Sequence, residues 1–113
     1  MATKSRAELI RRVLDRLQVT QTGQNPAAED VDQVSQNLDT VLATLASDEV
    51  VYIANPDEIE LAYFEPVSVC IADKMAMDFG TAVSPDDLVA AQAVLRRMQT
   101  LRPMYTDQQT SYV

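Results

Sequence analysis

The apolar residues Val31, Val34, Leu38, Val41, Leu42 and Leu45 fall at steps of three, four, three, one and three. That is one face of an α-helix, not the alternation of a strand. No Gly or Pro interrupts residues 27–47, so the spacing predicts a helix about 30 Å long at a rise of 1.5 Å per residue. Asn25-Pro26 supplies its start. Asn caps free amides, and Pro at the first helical position has no N–H to leave unsatisfied. Glu29, Asp30 and Asp32 in the opening turns complement the helix dipole. A helix this long invites the expectation that the other helices pack on its stripe.

Three more helices follow from the same kind of pattern. Ser5-Arg6-Ala7-Glu8 has the capping-box spacing, and Leu9, Ile10, Val13, Leu14 and Leu17 continue at helical intervals. This predicts a first helix over 6–18, with Arg11, Arg12 and Arg16 off the stripe, open to a phosphate backbone, an acidic neighbour or water. Residues 18–24 read as a polar loop with Gly23 available for a turn. Phe64-Glu65-Pro66 opens a third helix over 65–79, carrying Val67, Ile71, Met75 and Phe79 at every fourth position, with Cys70 and Ala72 widening the set. Gly80 stands where a left-handed terminator belongs. Ser84-Pro85-Asp86-Asp87 starts a fourth helix with the stripe Leu88, Ala91, Val94, Leu95, Met98 and Leu101. Arg96, Arg97 and Arg102 suit its last turns, and Pro103 stops it.

Two stretches break the helical pattern. Val50-Val51-Tyr52-Ile53 is a β-branched and aromatic run between Asp48-Glu49 and Asn55-Pro56. It predicts a single strand or extended segment, and a lone strand needs a partner edge in a loop, in the tail or in another subunit. Residues 55–60 read as a turn or one helical turn. After Pro103, MYTDQQTSYV has no periodicity. It predicts an extended tail in which Met104, Tyr105, Tyr112 and Val113 are apolar anchors, suited to adding to a partner as a strand. The fold expected is therefore mainly α: a small four-helix bundle over 1–103 with one short extended or β segment at about 50–53, and an extended C-terminal docking tail over 104–113.

Composition agrees with one domain. There are 113 residues, nearly half of them apolar, and only two glycines. The apolar runs are too short to span a bilayer, and the basic N-terminus has no apolar stretch behind it, so neither a membrane segment nor a secretory signal is expected. The single cysteine, Cys70, lies among Val67, Val69 and Ile71 and reads as a small buried hydrophobe. One cysteine makes no internal disulfide and fits a reducing compartment. Charge is uneven along the chain. Residues 1–18 carry Lys4, Arg6, Arg11, Arg12 and Arg16 against Glu8 and Asp15, a net +3; residues 19–95 carry Lys74 alone against fourteen acids, a net −13; residues 96–113 carry Arg96, Arg97 and Arg102 against Asp107, a net +2. A nucleic-acid reader is usually basic, so this middle region points away from DNA recognition and toward solubility, repulsion of DNA or a basic partner.

The inventory of reactive groups is thin. There is no His and no Trp, and one Cys cannot build a Cys/His zinc site. No EF-hand spacing is present, and two glycines do not supply phosphate-loop, dinucleotide-fold or nucleophile-elbow motifs. Cys70 has no histidine to activate it. The adjacent acids Asp57/Glu58 and Asp86/Asp87 sit where caps and dipole partners sit. No catalytic residue, cofactor or metal is assigned, and a binding or structural protein is expected. The first two helices do not make a helix-turn-helix, because the loop is too long and the second helix is acidic.

The capped LIRRVLDRL helix is followed by NPAAEDVDQVSQNLDTVLATLAS, VVYIANPDEI, FEPVSVCIADKMAMDFG and a Pro-started last helix with a polar tail. In this order of elements the chain resembles the small helical head–tail connector proteins of tailed bacteriophages, also called adaptor or head-completion proteins. The resemblance covers nearly the whole chain and carries no catalytic motif. It implies a homo-oligomeric ring, typically a dodecamer, beneath the portal protein, in the neck of the virion after assembly in the host cytoplasm. It implies that the C-terminal segment reaches the portal and that tail or stopper proteins meet the other face. DNA then passes through without sequence-specific binding, and no membrane is involved. On that footing the tail anchors would engage the portal, Val50, Val51, Tyr52 and Ile53 would contact a neighbouring subunit, and Glu29, Asp30 and Asp32 would line the channel. The basic ends would meet acidic surfaces on the portal or on neighbouring subunits. The alternative from another class is a small helical binding module, such as an assembly chaperone or regulator.

Overall fold

In a computed structural model, the structure describes residues 2–18 and 27–101. Their order is β1 (Thr3–Lys4), α1 (Arg6–Arg16), α2 (Ala28–Ser47), β2 (Ile59–Glu60), α3 (Leu61–Met75), a 3₁₀ turn (Ala76–Phe79) and α4 (Pro85–Leu101). The fold is mainly helical, as the periodicities predict. Asn25, Pro26, Gly23, Arg102, Pro103 and the tail anchors Met104, Tyr105, Tyr112 and Val113 lie outside the described residues.

Helix α1 starts at its capping box: the Ser5 side chain accepts from the Glu8 amide, and the Glu8 carboxylate accepts from the Ser5 amide at 3.0 Å. The carboxyl of Glu8 is held below the usual range, chiefly by that backbone hydrogen bond. Leu9, Ile10, Val13, Leu14 and Leu17 are all buried. Helix α2 buries Val34, Leu38, Leu42 and Leu45, the stripe read from the sequence. Gly80 terminates the 3₁₀ turn at φ +69°, and the amide of Thr81 reaches back to the Ala76 carbonyl.

The centre of the molecule is α3, not α2. Helix α3 packs against α1, α2 and α4, whereas the main helical neighbours of α2 are α1 and α3. Nine of the fifteen α3 residues are buried: Tyr63, Phe64, Val67, Ser68, Val69, Cys70, Ile71, Ala72 and Met75. A helix apolar nearly all round belongs in the middle, and one with a single stripe belongs on a side. Length alone therefore misdirected the expectation.

Helix α3 also begins four residues before the predicted start. Pro66 marks no helix start; it sits at the sixth position, with no N–H to offer the Ala62 carbonyl. Ala62 is exposed, so the loss falls on the solvent side. Burial of Tyr63 and Phe64 in register with Val67 and Ile71 offsets it. The Leu61 amide donates to the Ala2 carbonyl at 3.4 Å.

The sheet is likewise elsewhere. β1 and β2 pair antiparallel with Thr3 opposite Glu60 and Lys4 opposite Ile59. Residues 50–53 form the extended segment without strand pairing. Helix α2 closes at Glu49, which takes φ +61°; the Glu49 amide bonds the Ala46 carbonyl and the Val50 amide bonds the Leu45 carbonyl. This reversal drops Val50 and Val51 into the core, at 1% and 2% exposure. The Tyr52 amide donates to Oε1 of Gln99 on α4 at 3.0 Å, so a side chain takes the place of a neighbouring strand. Residues 55–58 then make the expected turn, with the Asn55 side chain accepting from the Asp57 amide.

Candidate functional site

Two surfaces take up the residues singled out above. The first is the outer face of α2. Glu29, Asp32, Gln36, Asp39 and Ala43 recur at steps of three, four, three and four and are all exposed, so they form one stripe opposite the buried one. Asp30 is half-buried beside it. The helix contains no Lys or Arg.

Three of the four α1 arginines, Arg6, Arg12 and Arg16, pair with acids of the same chain, while Arg11 is exposed. Arg6 donates to Oδ1 of Asp39 at 3.0 Å and to the Ser35 carbonyl at 2.9 Å. Arg12 donates through Nε to both oxygens of Glu65, at 2.9 and 3.2 Å. Arg16 also reaches Glu65 and donates through Nε to Oγ of Ser68 at 2.7 Å. The Ser68 hydroxyl donates in turn to the Glu65 carbonyl at 2.7 Å. Among the described residues Ser68 is the one fully buried polar side chain, and these bonds are what make its burial tolerable. Burial pushes the Glu65 carboxyl up, but hydrogen bonds and charge from Arg12 and Arg16 outweigh it and leave it below the usual range. Lys4 lies over the Phe64 ring, 4.8 Å from its centroid. The acidic neighbour that Arg6, Arg12 and Arg16 meet is thus in the same chain.

The second surface lies where the 50–56 segment crosses α2. Leu42, Ala43, Ala46, Tyr52, Ile53 and Pro56 line an open groove of about 190 Å³, with Asp39 at its edge. Tyr52 is 67% exposed although its two predecessors are buried. Of the run predicted to meet a neighbouring subunit, Val50 and Val51 serve the chain's own core, Ile53 packs partly against it, and Tyr52 faces outward. The sequence reading passed over Gln99. Its side chain accepts from the Tyr52 amide and donates to the Tyr63 hydroxyl at 3.3 Å, tying α4 to both segments. A polar residue at the end of a stripe carries no periodic signal, so only the fold reveals it.

Elsewhere the chemistry is quiet. Burial pushes the Cys70 thiol up to about 11, assisted by Asp73, so it stays protonated and unreactive at neutral pH. Among the described residues no group of three His, Cys, Asp or Glu side chains is placed to hold a metal ion, and no helix is long and apolar enough to cross a membrane. Compared with family models, curated proteins and solved structures, the chain matches none.

Proposed function

We propose that this chain is a structural, non-catalytic adaptor of a tailed bacteriophage that forms a ring on the portal, links the DNA-filled head to the tail and lines part of the DNA channel in the neck of the virion. The observation that carries the proposal is the outer face of α2. It presents Glu29 and Asp32 on one stripe of a helix that has no Lys or Arg of its own, while Arg6 is paired with Asp39 further along the stripe and Arg12 and Arg16 are turned onto Glu65. A lumen of such faces repels phosphate and lets DNA slide without sticking. The surfaces for neighbouring subunits and for the portal are the exposed Tyr52 and the anchors Met104, Tyr105, Tyr112 and Val113. Acidic lining from Glu29, Asp30 and Asp32 follows from the same reading.

The test is a pull-down on portal rings of the same phage, viewed by negative-stain imaging, with the full chain and with a chain stopped after Pro103. The full chain is expected to decorate the portal as a ring, and the shortened chain to fail. Equal binding by both would keep the adaptor role and remove the tail from it. Absence of binding, together with absence of the chain from purified virions, would overturn the adaptor role in favour of an assembly chaperone or regulator.

A further inference from the structure

Helix α4 turns Leu88, Ala91, Leu95 and Met98 toward the core. Its opposite face carries Asp86, Ala90, Ala93 and Arg97 at steps of four, three and four, all exposed. Val89 flanks that face, an apolar side chain left 65% exposed. Residues 86–97, DDLVAAQAVLRR, mirror themselves about the Ala91–Gln92 bond. Ala90 matches Ala93, Val89 matches Val94, Leu88 matches Leu95, and two aspartates at one end match two arginines at the other. Among the described residues neither Asp86 nor Arg97 is ion-paired within the chain. Laid antiparallel on a second copy in this register, the face sets Ala90 against the partner's Ala93 and Asp86 against the partner's Arg97, each contact occurring twice. The charged ends are about 16 Å apart along the helix, so they fix the register. Alanines at the centre let the two helix axes approach to the near end of the usual range of about 8–10 Å.

We propose that a second copy of this chain docks antiparallel on the outer face of α4, giving a two-fold dimer with Ala90 and Ala93 at its centre and an Asp86–Arg97 pair at each end. The charge pattern selects a second copy over an unrelated partner. A face that is acidic at one end, basic at the other and apolar between is complementary to itself when reversed. The net charge of −8 opposes association of whole chains. At physiological ionic strength, exposed charges more than about 8 Å apart are largely screened, whereas the end pairs are in contact. One helix face is a small contact, so the dimer is a weak one. A two-fold contact closes on itself and builds no ring. It lies apart from the outer face of α2 and does not rest on the adaptor reading.

The experiment is sedimentation equilibrium of the full chain from micromolar to millimolar protein at physiological ionic strength. A monomer–dimer equilibrium is expected. Asp86→Lys and Arg97→Glu each place like charges at both ends of the contact, and each is expected to weaken the dimer about tenfold or more. Both positions are exposed, and Asp87 stays in the first turn of α4 to complement the dipole. Circular dichroism checks that each variant is folded. Mixed in equal amounts, the two variants are expected to pair with each other about as tightly as the parent pairs with itself, because each supplies the charge that the other's reversed position requires. A chain that stays monomeric at millimolar concentration would overturn the proposal. So would a dimer that both reversals leave intact, variants that fail to pair when mixed, or growth beyond the dimer. Portal binding is read separately by the pull-down, and neither measurement decides the other.

Discussion

Helices α2 and α3 are both continuous and apolar-rich, yet they do opposite jobs. Helix α2 buries four of its twenty residues and α3 nine of its fifteen. The first therefore has a face to spare and the second has almost none. A display element is recognised by what it leaves over, and a structural centre by having neighbours on every side. The outer stripe of α2 stays exposed because α3, packed against α1, α2 and α4, is the element the other three helices share.

The most severe way to break this comparison is to change volume on each helix. Ile71→Ala in α3 is expected to cost about 2–5 kcal/mol through lost burial and the cavity left behind. Ala72→Leu, at a fully buried position, is expected to cost about 1–3 kcal/mol by overpacking. Gln36→Leu on the outer stripe of α2 is expected to stay within about 0.5 kcal/mol. Urea unfolding of the three variants checks this. If Ala72→Leu is as mild as Gln36→Leu, α3 is not enclosed.

A smaller effect is expected at the polar seam between α1 and α3. Ser68→Ala removes the acceptor for Arg16 and is expected to cost about 1 kcal/mol, since Arg16 keeps Glu65 as a partner. A similar size with the opposite sign is expected at the end of α2. Glu49 occupies a left-handed conformation that costs a non-glycine residue about 1 kcal/mol, so Glu49→Gly is expected to raise Tm. A lowered Tm would mean that the Glu49 side chain makes a contact worth more than the backbone relief.

The smallest effect is electrostatic. Glu65 titrates below its ordinary range when folded. Its contribution is therefore fully present above the unfolded value of about 4.3 and is lost as pH falls through the lower folded value. The side chain is half exposed, so solvent screening keeps the contribution small. Stability measured from pH 6 to pH 2 is expected to fall less steeply in Glu65→Gln than in the parent. An identical acid limb would show that the two arginines stabilise the seam by packing alone.

What was legible in the sequence was whatever repeats. The stripe of α2, the capping box at Ser5 and Glu8, Gly80 as a terminator and the start of α4 at Pro85 all follow from spacing or from a residue with one conformational use. What was not legible depended on contacts between distant segments. Strands of two residues carry no alternation, so β1 and β2 were invisible. Pro66 is a strong start signal, and only the burial of Tyr63 and Phe64 against the rest of the fold overrides it. Val50-Val51-Tyr52-Ile53 has the composition of a strand, but the reversal at Glu49 and the Gln99 side chain make it a core plug with an exposed end. On the surface, the acids of α2 were legible as acids. That Asp39 takes Arg6 and Glu65 takes Arg16 and Arg12 was not, because those pairs are 33, 49 and 53 residues apart.

The most direct measurement of the proposed adaptor role is a cryo-electron microscopy reconstruction of the chain mixed with bacteriophage portal rings. The proposed adaptor role predicts a closed ring of copies in which the Glu29–Asp32 face of α2 looks onto the axis and α3 lies wholly within each copy. A ring in which that face is turned outward, or a chain bound as isolated copies with no ring at all, would contradict it.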